Sequence, residues 1–318
     1  MKNVLKKHSG FGLVELMISV TIGLIIMAGV IQLYASSQAN FRVAKGVGRI
    51  QENMRYALSQ LGDDIAQAGN IKCAATDIKN NAFPLNNATG SWQDFDDTYV
   101  SGDNNSFNAA QPVSTSDTLR TKRVDYSSPH NITVVDTNFF TVSDANNLNG
   151  GDIVVAGDCG TMVVLELSIG GAGDGTILNV DAGTEVGTIA LTDANTLLDT
   201  GAFPVLYAGA TGAYTYSIGT SAEATSPCSD AAINNCALFR ERNNEGATEL
   251  VQGVHGLQVQ YGVEVAGVAV NYNDAFNADG NEQRISRIRL TLQFNSAESS
   301  GDVITRNVTR VFAIRSAW

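Results

Sequence analysis

Ser9-Gly10-Phe11-Gly12-Leu13-Val14-Glu15-Leu16 stands at the head of an apolar run that continues to about Ala35. Lys2, Lys6 and Lys7 precede it, and between Phe11 and Tyr34 Glu15 is the only charged side chain. At ~1.5 Å rise per residue such a run covers the ~30 Å hydrocarbon core of a bilayer. The lysines lie on one side of it, so the positive-inside rule holds the amino end in the cytoplasm and sends the rest of the chain across. A cleaved secretory signal fits less well, because its apolar core is shorter and carries no acid, and Ser37-Gln38-Ala39 is only a weak cleavage box.

Glu15 needs an explanation. A charged carboxylate inside a membrane helix costs about 2.5 to 3.5 kcal/mol on insertion scales, which marks it as functional by default and calls for a partner. Cleavage after Gly10 would expose the α-amino group of Phe11 about one helical turn away, and the same amine on a neighbouring subunit could neutralise the acid. The plain alternative is a hydrated or protonated side chain at the cytoplasmic interface.

Gly10-Phe11-Gly12-Leu13-Val14-Glu15-Leu16 resembles the class III signal of type IV prepilins and type II secretion pseudopilins. The resemblance implies that prepilin peptidase cuts after Gly10 and methylates Phe11, and that Glu15 registers subunits during assembly. Two positions depart from the usual pattern: Gly12 replaces the commoner Ser or Thr, and the first proline is Pro84, so the mid-helix proline of major pilins is missing.

The 318 residues carry a formal charge of −12, and losing Lys2, Lys6 and Lys7 with the leader makes the remainder more acidic still. Such a surface repels phosphate backbones and argues against general nucleic-acid binding. With 31 glycines and many Asn, Asp, Ser and Thr, the part beyond the helix reads as a turn-rich β domain. All four cysteines, Cys73, Cys159, Cys228 and Cys236, lie beyond the membrane run, where an oxidising compartment favours disulfides. Of the three pairings that four cysteines allow, Cys228 with Cys236 closes a short loop, and elimination leaves Cys73 with Cys159. No metal site is expected, since neither His130 nor His255 stands at ligand spacing from a cysteine.

After Ala35 the apolar pattern turns amphipathic. Val43, Val47, Ile50, Met54, Leu58, Leu61, Ile65 and Ala68 recur at steps of three and four, and Gly69 suits a C-terminal cap. One helix over about residues 11–68 is predicted, on the order of 85 Å long. Gly46, Gly48 and Gly62 each weaken it by about 1 kcal/mol relative to alanine, and a bend is expected near Gly46. Asn70 to Asp117 reads as a long surface connection with one or two short strands. Strands are predicted at 132–135, 139–142, 152–156 and 162–167, and the Gly170 to Gly175 loop is a turn rather than a phosphate cradle. Asn277-Ala278-Asp279-Gly280 resembles the middle of a calcium loop but lacks its first and last ligands. In the last third, 257–263 and 288–294 alternate apolar with polar residues, 306–314 supplies a last strand, and 238–242 with 248–251 flank the hairpin turn Asn243-Asn244-Glu245-Gly246. An antiparallel sheet built from these lays its apolar face on the stripe from Val47 to Ile65.

Leu238-Phe239-Arg240, Glu249-Leu250-Val251-Gln252-Gly253-Val254, Leu257-Gln258-Val259-Gln260-Tyr261-Gly262-Val263 and Thr309-Arg310-Val311-Phe312-Ala313-Ile314-Arg315 resemble the C-terminal domain of PilW-type minor pilins. Gly151-Asp152-Ile153-Val154-Val155 leading to Asp158-Cys159 is similar to another part of it. The resemblance implies an α+β, pilin-like fold: leader 1–10, transmembrane helix 11–35, amphipathic continuation 36–69 and a periplasmic β-rich head 70–318. It implies a minor pilin of the inner membrane that helps initiate type IV pilus assembly. Expected partners are other minor pilins, the major pilin, a PilY-type tip protein and prepilin peptidase. A J-type minor pseudopilin and a pilus-displayed adhesin are the alternatives. No catalytic constellation is legible: Asp63-Asp64 and Asp96-Asp97 read as solvated faces and His255 as a residue opening a strand, so no enzymatic activity and no cofactor are expected.

Overall fold

The computed structural model describes residues 12–69, 99–104, 116–124, 132–135, 139–142, 153–157, 162–166, 177–179, 209–242, 246–263, 271–273, 285–296 and 303–314. One helix, α1 (Leu13–Ala66), runs without interruption through Gly46, Gly48 and Gly62. It stops at Ala66 rather than Ala68 and closes through a turn over 67–69. Gly69 takes a φ of +67°, the left-handed conformation that an L side chain resists, and donates its N–H to the carbonyl of Lys122 at 2.8 Å. The chain divides into two compact units, Met1–Arg49 and Ile50–Trp318, so the last turns of α1 belong to the β-rich unit.

Short strands follow in the order β1 (Val100–Ser101), β2 (Leu119–Val124), β3 (Ile132–Val135), β4 (Phe139–Val142), β5 (Ile153–Gly157), β6 (Met162–Glu166) and β7 (Ile177–Asn179). Then come β8 (Gly209–Thr220), β9 (Cys236–Arg242), β10 (Ala247–Gln252), β11 (Val254–Val263), β12 (Asn271–Asn273), β13 (Ile285–Asn295) and β14 (Thr305–Ala313). Among the described residues all the pairings are antiparallel, and they make a seven-stranded sheet around β8, a four-stranded sheet in the order β12-β11-β13-β14 and a three-stranded sheet in the order β3-β4-β7. The architecture is α+β, a long N-terminal apolar helix ahead of antiparallel sheets, as expected for a pilin-like chain.

The anticipated single C-terminal sheet is in fact two. The hairpin β9-β10 joins the larger sheet through β8, whereas β11, β13 and β14 form the smaller one. The chain changes sheets at Gly253, whose φ of +80° lies in the left-handed region that an L side chain resists. Its N–H donates to the carbonyl of Cys236 in one sheet, and its carbonyl accepts from the N–H of Asn295 in the other. Ser116 and Asp117 make a second tie. Leu257 N–H donates to Ser116 Oγ at 3.1 Å, Val259 N–H to Asp117 Oδ2 at 2.7 Å, and Asp117 N–H to the Leu257 carbonyl at 2.8 Å.

Alternation explains the core. Tyr214, Tyr216 and Ile218 of β8, Leu257, Val259 and Tyr261 of β11, and Ile288, Leu290, Leu292 and Phe294 of β13 are buried with Ile50, Ala57, Leu61, Ile65 and Ala68. The helical stripe is therefore narrower than its sequence periodicity suggests: Met54 and Leu58 are only partly buried, and Val43 is 52% exposed. Gly62 serves this packing. A Cβ there would lie 2.6 Å from Cε1 of Phe312, so the missing side chain lets β14 come close to the helix.

Candidate functional site

Gly10 and Phe11 lie outside the described residues, which begin at Gly12. Glu15 sits in the first turn of α1, exposed, with its N–H donating to the Gly12 carbonyl at 3.0 Å. No cation is paired with it among the described residues. From Leu13 to Tyr34 the large apolar side chains are exposed on every face of the helix, between 51% and 77%. The hydroxyls within this run are turned back on the helix: Ser19 Oγ donates to the Leu16 carbonyl at 2.9 Å and Thr21 Oγ1 to that of Ile18 at 2.8 Å. Hydrocarbon offers no hydrogen-bonding partner, and these internal bonds meet that requirement. By length and composition α1 is able to cross a membrane. Glu15 is the one charged side chain of this run.

In the β-rich unit the notable charge is Asp64, which is 2% exposed and not the solvated face its sequence context suggested. Its neighbour Asp63 is the exposed member of the pair. Arg240 Nη2 lies 2.8 Å from Asp64 Oδ2 and Arg123 Nη1 3.2 Å from Oδ1, while the Tyr216 hydroxyl donates to Oδ2. Arg123 also donates to Gln67 Oε1 at 2.8 Å and to the Tyr214 hydroxyl at 3.3 Å. The Tyr214 ring carries both guanidinium groups, at 3.9 Å from Arg240 and 4.7 Å from Arg123. Strand register produces this cluster, because Tyr216 pairs with Arg240 across β8 and β9 while Arg123 faces Gly212 across β2 and β8. Burial, followed by the charge of Asp64, pushes the Tyr216 hydroxyl far above the ordinary phenol range and keeps it a donor.

The remaining candidates are distributed as follows. Cys228 and Cys236 are joined by a disulfide; Cys73, Cys159, His130, Asp96 and Asp97 lie outside the described residues. His255, the second residue of β11, meets Asn295 Nδ2 at 3.3 Å from its Nδ1, and burial lowers its pKa. Among the described residues no group of three or more His, Cys, Asp or Glu side chains is placed to hold a metal ion. The Asp64 cluster escaped sequence reasoning because Arg123, Tyr216 and Arg240 lie 59, 152 and 176 residues from Asp64 along the chain; the faint signal was an acid interrupting the buried stripe between Leu61 and Ile65.

Residues 5–31 match the family model described as the prokaryotic N-terminal methylation motif. No curated protein and no solved structure matches the chain significantly. The matched segment spans Gly10, Phe11 and Glu15 and the first part of the apolar helix. That motif supports a type IV pilin-like or pseudopilin N-terminus, processed by prepilin peptidase and anchored by α1.

Proposed function

We propose that the protein is a PilW-type minor pilin that helps initiate a type IV pilus. In this reading it is inserted with its N-terminus in the cytoplasm and its head in the periplasm, cut after Gly10, methylated on Phe11 and incorporated near the tip. The observation that carries it is the lone acid Glu15, in the first turn of a helix whose run to Tyr34 is apolar on all sides, within a matched methylation motif. A carboxylate there is costly unless a cation approaches, and the new amine of a neighbouring subunit is a cation at the right depth. The β-rich unit selects partners, among them other minor pilins, the major pilin and a PilY-type tip protein, and carries out no chemistry of its own.

The test is the mature N-terminus read by mass spectrometry, together with Glu15→Ala. The expected result is a methylated Phe11 at the start of the chain and a variant that inserts in the membrane but no longer supports pilus assembly. A chain still beginning at Met1, or full piliation with Glu15→Ala, overturns the reading. Because the motif is common to pilins and pseudopilins, a J-type minor pseudopilin is the second reading. Genes for secretion components beside this one, and lost secretion with intact pili on deletion, would select it.

A further inference from the structure

β14 ends the four-stranded sheet, and among the described residues no strand pairs with its outer side. It matches β13 over nine consecutive residue pairs, from Asn295 with Thr305 to Arg287 with Ala313, with no bulge and no proline. A long, regular, unpaired edge is a template for strand addition, and proteins that avoid such pairing shorten, bulge or break the edge. β14 is neither short, bulged nor broken, and of such devices it carries only charge, in Arg306 and Arg310. The side chains agree with the backbone: only Val308 and Phe312 of β14 are partly buried. Beyond Tyr56, the exposed large apolar residues among those described are Val303 and Val311, one just before β14 and one within it.

The charges indicate what the edge accepts. Arg306 and Arg310 pair in register with Phe294 and Leu290, which places them on the same sheet face two pleats apart, both exposed. No carboxylate is paired with either among the described residues. Antiparallel pairing of β14 with a second copy of itself would gather four guanidinium groups at one seam, where like charges on adjacent strands repel. We infer that β14 receives an extended strand of another protein, one bearing carboxylates two pleats apart that meet Arg306 and Arg310. Backbone hydrogen bonds would supply the attachment, and the arginine spacing the selectivity, as in other cases of strand addition.

The experiment uses the full chain in detergent micelles and a nine-residue peptide of alternating valine and threonine with glutamates four positions apart. Two controls accompany it, one with glutamines in place of the glutamates and one N-methylated at alternate amides. The glutamate peptide should bind about tenfold more tightly than the glutamine peptide and slow hydrogen exchange in β14, and N-methylation should abolish binding. The double variant Arg306→Glu/Arg310→Glu should reverse the preference toward a lysine peptide. Equal binding of the N-methylated peptide would reduce the effect to simple charge attraction and overturn the proposal. So would no binding at all, β14 amides already protected in the dilute chain alone, or protection that grows with the chain's own concentration.

Discussion

Asp64 of the helix and Arg240 of β9 meet at 2.8 Å across a distance of 176 residues in sequence, in a setting where the carboxylate is 2% exposed. A buried acid in such a place is tolerable only while its cations and the Tyr216 hydroxyl stay with it. The cluster therefore specifies one arrangement of the last helical turns against β2, β8 and β9: rotation of the helix by one residue would bury Asp63 instead and leave two guanidinium groups without their anion.

Replacing the acid should accordingly cost more than an ordinary surface change. Asp64→Asn is expected to destabilise the protein by about 3 kcal/mol, the scale for removing one partner of a buried pair. Urea unfolding of the detergent-solubilised chain measures this. Combining it with Arg240→Met should restore part of the loss, because the orphaned charge goes too.

Gly62 and Phe312 form a second coupled pair. Alanine at 62 gains about 1 kcal/mol of helix propensity but sets a methyl group 2.6 Å from the Phe312 ring. Gly62→Ala alone should be neutral to destabilising, since overpacking costs about 1 to 3 kcal/mol. In a Phe312→Leu background the same change should stabilise, and a thermal double-mutant cycle reads the difference in sign.

The lowered pKa of His255 has a defined consequence for pH. A histidine that resists protonation when folded takes up fewer protons than its unfolded counterpart as pH falls through about 6.5. Its contribution is complete at higher pH, and stability is lost as pH drops below that value. Melting temperatures from pH 8 to pH 5 should fall less in His255→Asn, whose side-chain oxygen can replace Nδ1 as acceptor for Asn295.

The Cys228 to Cys236 disulfide closes a loop immediately before β9, eight residues apart in sequence. Double substitution to serine should cost about 2 to 3 kcal/mol on the chain-entropy scale. The loss would be seen as a lower urea midpoint that reducing agent does not lower further through this bond.

Local regularities were legible in the chain itself. Twenty-odd apolar residues interrupted by a single acid can be read without neighbours, and so can the alternation in β11 and β13, because period and composition are properties of a short segment. β8 was not read as a strand, although it is the centre of the larger sheet: Gly209, Gly212 and Gly219 mask the alternation of Tyr214, Tyr216 and Ile218, and the strand is stabilised chiefly by its neighbours β2 and β9. β2 was missed for a related reason, since Arg120, Lys122 and Arg123 fall on both faces and leave no apolar alternation to read.

By itself, then, the sequence determined the apolar helix, its lone acid, the methylation motif and the strand-rich character of the rest, all of which depend on residues close together in the chain. Tertiary structure alone decided that Gly253 divides the strands between two sheets, that Asp64 rather than Asp63 turns inward, and that β14 is left as an edge among the described residues. Those outcomes follow from pairing and burial between distant segments, where an orphaned charge or an unmatched backbone group is settled by whichever strand arrives beside it.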